Sequence, residues 1–248
     1  MTIMGLWCLV YHMALSKHMP PSKLSLLPLQ TSSLSDLAYT ALKETVLGMD
    51  YTSESRLDER KLAGNLKISR TPLRDAIRRL VSEGLLRVEP RRGVFVVRKT
   101  RQETIEILYV RAALEGMAAK LAVRHITVED VAQMKAMFAG FTPRNVAGKV
   151  DEFSVANVTF HEFVLKLSHC QKLQEMAANI YDHMRMVRMQ TIRLGNRARN
   201  ALAEHLDIIR AFEKRDGDLA SRRMQDHIEG MAKYVEENRG LFPWGPLK

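Results

Sequence analysis

Cysteine is nearly missing from this chain: Cys8 and Cys170 are the two occurrences in 248 residues. So few, so far apart, they make no disulfide framework and show no metal-ligand spacing. A small disulfide-stapled secreted domain and a cysteine zinc module are therefore excluded. The two read as reduced thiols and the compartment as cytoplasmic. Aromatic residues make up 6 % of the chain while methionine is common, which favours helices over sheet. No apolar run reaches the length that crosses a bilayer. The first fifteen residues are largely apolar, but they hold no Lys, Arg, Asp or Glu and so lack the basic start of a secretory leader. Residues 1–33 read as a disordered or non-native extension, with Met13 or Met19 as the natural start.

Positive charge, by contrast, is abundant. A formal charge of +10 points to an anionic partner, either nucleic acid or a membrane surface. The length allows one large or two ordinary domains.

The chain is organised around Ser69-Arg70-Thr71-Pro72-Leu73-Arg74, which opens a helix running to about Ser82. Ser69 or Thr71 can cap it, and Pro72 suits a first turn, where a missing N–H costs nothing. Leu73, Ile77 and Leu80 mark its inward face, whereas Arg70, Arg74 and Arg78 form a row on another. Such a row fits a solvated basic face as well as a DNA major groove, where guanidinium groups fork onto guanine edges. Its surroundings favour DNA. Helices are expected at 34–47, ended by Gly48, and at Glu59–Leu66, capped by Asp58, with a polar loop over 49–57 between them. After the arginine helix come a strand Leu85–Glu89, a basic turn Pro90–Gly93 and a strand Val94–Val97. That order is a winged helix-turn-helix, and over 50–98 twelve basic side chains face seven acidic ones.

From Arg101 onward strand signals stop. A long helix is expected over Arg101–His125, with Ile105, Leu108, Ala112, Met117 and Leu121 inward and Arg111 and Glu115 paired four apart. Thr127 caps a helix to Phe138. A loop over 140–148 follows, then helices at about 150–168, 171–194 and 199–215. After a break at Gly217 a last helix runs from about Asp218 to Asn238. The fold class is thus mostly α: a winged helix-turn-helix at 34–98, an all-helical bundle at 101–238 and a frayed tail at 239–248.

Five of the eight histidines lie between 161 and 227, and three occupy inward positions. His161 shares a stripe with Phe153, Asn157 and Phe160, His205 lies between Leu202 and Ile209, and His227 continues Ala220 and Met224. Each reads singly as a hydrogen-bonded core histidine, and together they read as a metal site built from facing helices. Patterning alone leaves both readings open. Three ligands and an open position also suit a hydrolytic zinc. Against that, Glu204 and Asp226 each adjoin a histidine in sequence and so point to different helix faces, leaving no general base.

Two resemblances bear on these choices. Leu57, Leu62-Ala63, the run Ile68 to Ile77, Gly84-Leu85 and Arg91-Arg92-Gly93 resemble the DNA-binding domain of GntR-family bacterial regulators. The resemblance implies DNA contacts from Arg60, Ser69, Arg70, Thr71, Arg74, Arg92 and Gly93. Arg111 with Leu114-Glu115, Asn157 with Phe160-His161, Glu204-His205 with Ile209, and Gly217-Asp218 with Met224 and His227 resemble the FCD ligand-binding domain that follows in one branch of that family. It implies a divalent metal, zinc or nickel, held by Asn157, His161, His205 and His227, with a small carboxylate effector completing the coordination. Arg111 and Arg188 are the expected carboxylate grips. The expected protein is a dimeric regulator, a repressor and no enzyme, that reads a double-stranded operator and has no membrane role. A metal-dependent hydrolase and a metal-free regulator with an apolar effector are the alternatives, and three inward histidines argue against the second.

Overall fold

The computed structural model describes residues 33–49, 56–192, 197–238 and 240, and over 186–192 the helix without its side chains. The expected extension up to residue 32, with Cys8, and the tail from 241 lie outside the described residues, and so does the Arg188 side chain. Nine α-helices and one small sheet are present among the described residues. None of the helices is long and apolar enough to cross a membrane.

Helix α1 (Leu34–Leu47) starts at Ser33, which the sequence reading had left in the extension. The Ser33 hydroxyl accepts from the Asp36 N–H and the Asp36 carboxylate accepts from the Ser33 N–H, a reciprocal cap that satisfies donors the helix cannot. Ala38, Leu42 and Val46 face inward. Leu34 and Leu37, expected there too, are exposed, because α1 touches its neighbours along its later turns. Strand β1 (Arg56–Leu57) was missed within a polar stretch. A two-residue strand carries no periodicity, and β1 exists because it pairs antiparallel with β3.

Helices α2 (Glu59–Leu66) and α3 (Arg70–Ser82) form the helix-turn-helix. The Asp58 side chain caps α2, whereas Ser69, at the N-cap of α3, makes no side-chain cap bond, contrary to the expected role of its hydroxyl. Strands β2 (Leu86–Glu89) and β3 (Gly93–Val96) pair antiparallel, giving the sheet order β1-β3-β2. Leu42, Val46, Leu73, Ile77, Leu80 and Leu86 form the common core, and each large side chain so buried contributes about 1.5–3 kcal/mol. Arg79 leaves the arginine row. Its guanidinium lies 3.8 Å from the Tyr39 ring centroid and 2.7 Å from Asp36, tying α3 to α1.

The second half is a bundle of α4 (Arg101–Ala122), α5 (Val128–Phe138), α6 (Val150–Leu167), α7 (Gln171–Ile192), α8 (Arg197–Glu213) and α9 (Gly217–Glu237), with one 3₁₀ turn at Val146–Gly148. Thr100 with Glu103 and Thr127 with Asp130 form capping boxes on α4 and α5. Helices α4 and α9 run antiparallel: Arg101 donates to the Glu236 carbonyl at one end, and Gly217 lies against the Lys120 carbonyl at the other. A Cβ at Gly116 would stand 2.6 Å from Gln225, so only glycine permits this approach. Gly217, expected as a break, is the first residue of α9, capped by Asp216. Met117, expected inside, is 47 % exposed.

The two halves meet at α7. Lys43 lies 2.6 Å from Asp182 and 3.1 Å from Glu83, the Tyr39 hydroxyl donates to Glu83, and Arg185 pairs with Glu44. His183 Nε2 donates to the Glu83 carbonyl at 2.9 Å. Burial, and then the Lys99 charge, lower the His183 pKa and keep its ring neutral.

Candidate DNA-reading face and metal centre

Arg60, Ser69, Arg70, Thr71, Arg74 and Arg78 are all exposed, so the faces of α2 and α3 that carry them are open to a ligand. Arg74 is 58 % exposed, with its Nε on Glu59 at 3.0 Å, and Arg78 pairs with Asp75 at 2.8 Å. Exposed pairs of this kind are weak and easily exchanged for phosphate or base contacts. Between β2 and β3 the turn places Arg91 at φ 62° and Gly93 at φ 118°. The second value suits glycine alone, and a Cβ there would also crowd the Arg56 guanidinium at 3.1 Å. Arg92 pairs with Glu89 and lies over the Phe95 ring, while Arg87 covers the same ring. Arg56 is thus a cation at the base of the wing that sequence reasoning missed, since nothing in the polar stretch before it announced a strand.

In the bundle, His161 comes from α6, His205 from α8 and His227 from α9, and one ring nitrogen of each lies within 4.8 Å of the others. The expected convergence is therefore present. All three rings are buried. Their outer nitrogens are engaged: His161 Nδ1 lies 2.5 Å from Glu115 Oε2, His205 Nδ1 2.6 Å from the Ala201 carbonyl, and His227 Nδ1 2.7 Å from Glu204 Oε2. Carboxylates and carbonyls only accept, so each Nδ1 carries the proton and each Nε2 keeps its lone pair. His161 Nε2 and His205 Nε2 then face each other at 3.3 Å with no proton between them. Lone pairs so opposed repel, and a cation among them removes the repulsion. A neutral imidazole donor set anchored from behind suits zinc or nickel.

The electrostatics agree. Burial pushes the His161 pKa down to about 4, with Glu115 opposing. Burial and the neighbouring His227 hold His205 well below its ordinary value, and burial lowers His227 against the pull of Glu204. Burial would raise Glu115, but the Arg111 and His161 beside it prevail and keep it ionised. Glu204 is held at about 2, because its bonds from His227 and Arg197 outweigh burial.

A cavity opens beside the cluster, lined by Arg111, Asn157, His161, Tyr181, Arg197 and His227 among others. Asn157 stands one turn before His161, as expected. Arg111 donates through Nε to Glu115 at 2.5 Å, the pairing read from the sequence, and Tyr181 donates to the same oxygen at 2.9 Å. Arg197 grips Glu204 with two bonds of 2.8 Å, while its buried Nε has no partner among the described groups.

Sequence reasoning missed four members of this constellation. Glu115 had been noted only as a partner of Arg111. Glu204 had been set aside because it points away from His205, yet that direction brings it to His227 on the next helix. Tyr181 carries no distinguishing signal. Arg197 lies in a run of arginines that reads as solvated, but it is 5 % exposed.

Comparison with known proteins agrees with this geometry. Residues 34–96 match the model of bacterial regulatory proteins of the gntR family, and residues 106–230, half of the chain, match that of the FCD domain. The HTH-type transcriptional repressor RspR of Escherichia coli is 24 % identical over 84 % of this chain and 92 % of its own length. The gluconate operon transcriptional repressor of Bacillus licheniformis is 28 % identical over 73 % of this chain and 76 % of its own. Among solved structures, E. coli McbR/YncC superposes with a TM-score of 0.67 at 22 % identity, over 85 % of this chain and all of that one, a likeness of fold. These relatives are regulators and not enzymes, which removes the hydrolase alternative. A winged helix-turn-helix joined to an FCD bundle, matched along both halves, makes this chain a member of the GntR family of bacterial transcriptional regulators, in the branch that carries an FCD domain.

Proposed function

We propose that this regulator is a homodimeric repressor whose hold on DNA is set by a small carboxylate bound beside a divalent metal in its helical domain. The observation that carries the reading is the anchoring of all three histidines from behind, with three Nε2 lone pairs converging. The DNA-binding domain spans 34–98 and the effector domain 101–238. Arg60, Ser69, Arg70, Thr71 and Arg74 contact the operator from the helices, and Arg92 and Gly93 from the wing. Two copies read half-sites related by two-fold symmetry. The repressor names of two relatives favour repression.

His161, His205 and His227 are the metal ligands, with Asn157 as a neutral fourth, and zinc or nickel is the ion. Such an ion supplies concentrated positive charge and open coordination positions for a carboxylate. Arg111 grips the acid from the cavity wall. Arg197, whose buried Nε lacks a partner, is a second grip. Tyr181 connects this pocket to the DNA-binding domain: its hydroxyl is on Glu115, and the next residues of α7, Asp182, His183 and Arg185, hold Lys43, Glu83 and Glu44. An acid that displaces Tyr181 shifts that docking turn, and it regulates only by preferring one arrangement of the winged helices to another.

The test is thermal unfolding of chelated protein with zinc or nickel added back, alone and with a panel of small carboxylates. A ligand at one hundred times its Kd adds about 2.7 kcal/mol. Stabilisation by metal, with further stabilisation by one acid only when metal is present, supports the reading. No shift with either makes the histidines core residues and removes the metal from the mechanism.

A further inference from the structure

Helix α4 is packed against α9, α6 and α7, yet one stripe of it is bare. Glu106, Val110, Ala113, Met117 and Lys120 follow at alternating spacings of four and three, all exposed, with Tyr109 alongside. Tyr109, Val110 and Met117 are 52 %, 50 % and 47 % exposed. Single exposed apolar residues are ordinary, whereas a continuous row of them marks a contact surface. Four-three spacing is also the seam that packed helices use.

The stripe is complementary to itself. In an antiparallel pair with its two-fold axis at Ala113, Glu106 faces Lys120 of the other copy, Tyr109 faces Met117, and Ala113 faces Ala113, small enough for close approach. A parallel pair would set Glu106 against Glu106 and Lys120 against Lys120. Helix α9 extends the asymmetry, because it runs antiparallel to α4. Glu229, Glu236 and Glu237 lie toward the Glu106 end, beside Tyr109 in an open groove, and Arg222 and Arg223 lie toward the Lys120 end. The acidic end of each copy thus meets the basic end of the other. Within one chain Lys120 pairs with Asp218 and Glu106 accepts from Gln102, exposed contacts that re-form across the axis at little cost.

We infer that α4 packs antiparallel on α4 of a second copy of this chain, with the two-fold axis at Ala113 and the edges of α9 completing the interface. Two crossed helices alone bury less than the ~1,200–2,000 Å² of a stable interface, which is why the α9 edges are needed. This inference rests on the proposed homodimer and names its surface. It also sets the dimer seam and the effector pocket on one helix, since Arg111 and Glu115 leave α4 between the residues of the stripe.

The experiment combines mass and cross-linking of the full chain. Light scattering over a dilution series establishes the wild-type assembly. Ala113→Cys, in a background with Cys8→Ser and Cys170→Ser, is then oxidised beside Val155→Cys, an exposed control on α6. A cysteine on the axis meets its mate within the ~7 Å between Cα atoms that a disulfide needs, and the control does not. The expected result is a dimer that cross-links through position 113 and not 155. Glu106→Lys and Lys120→Glu should each weaken it by roughly two- to fivefold per pair, and the double variant should restore it. A wild-type dimer that cross-links no better at 113 than at 155, with no rescue by the double variant, overturns the seam and leaves the dimer standing. A wild-type monomer at every concentration overturns both.

Discussion

Replacing Glu115 by glutamine tests whether the metal ligands are oriented from behind. Glu115 is fully buried and its carboxylate accepts three bonds, from His161 Nδ1 and Arg111 Nε at 2.5 Å each and from the Tyr181 hydroxyl at 2.9 Å. Glutamine keeps the shape but turns one oxygen into an NH₂ group. If that group faces Arg111, a buried guanidinium loses its acceptor and its counter-charge together. If it faces His161, the imidazole must shift its proton to Nε2, where it blocks the metal lone pair. The second arrangement is the less costly, yet in both Arg111 is left without a neutralising charge. Breaking a buried pair from one side costs about 3–5 kcal/mol. For a chain of this size each kcal/mol moves the melting temperature by ~2–4 °C, so chelated Glu115→Gln should melt at least about 6 °C lower. Loss of such an outer partner weakens metal binding by roughly 10–100-fold. The assay is a melt of chelated protein followed by zinc titration against a coloured competing chelator. Unchanged melting would show that the Arg111–Glu115–His161 chain contributes little, and unchanged zinc affinity would refute the tautomer argument even if stability fell.

Further outcomes follow from the same geometry. Arg74→Ala should weaken specific operator binding by about 1–3 kcal/mol at matched salt, and equal affinity by fluorescence anisotropy would remove Arg74 from the reading face. Asp182→Asn should loosen the contact between α7 and α1, seen as faster hydrogen exchange at Glu83 and Gly84, while zinc affinity stays unchanged. His183 has a folded pKa below its ordinary 6.5, so its contribution is complete above that value and is lost as pH falls through the folded one. Wild-type protein should therefore lose more stability than His183→Gln between pH 7.5 and 5.5, measured with both proteins chelated, and equal losses would count against a neutral His183 at the docking turn. Gly93→Ala should strain the wing, at about 1–3 kcal/mol for forcing a side chain into that conformation; a melt indistinguishable from wild type would contradict the φ assigned there.

The order of elements was legible in the chain because each signal is local. Caps at Asp58 and Thr127, glycines at Gly48 and Gly84, and helical spacing of Leu73, Ile77 and Leu80 depend on neighbours a few residues away. The same holds for the inward placing of His161, His205 and His227, since spacing along one helix tells which face a residue shares. Spacing says nothing about which face of which other helix that face meets. Only the packed bundle brought the three Nε2 atoms together, turned Glu204 from a discarded base into the support of His227, and buried Arg197 out of a run of arginines that reads as solvent-facing. It likewise put Met117 outside and Gly217 inside a helix, because the contact of α4 with α9 covers one side of α4 and leaves the other bare. Local chemistry settles which helices and strands form. The partners of a buried charge or an imidazole proton are chosen across helices, by long-range packing that one-dimensional periodicity does not carry.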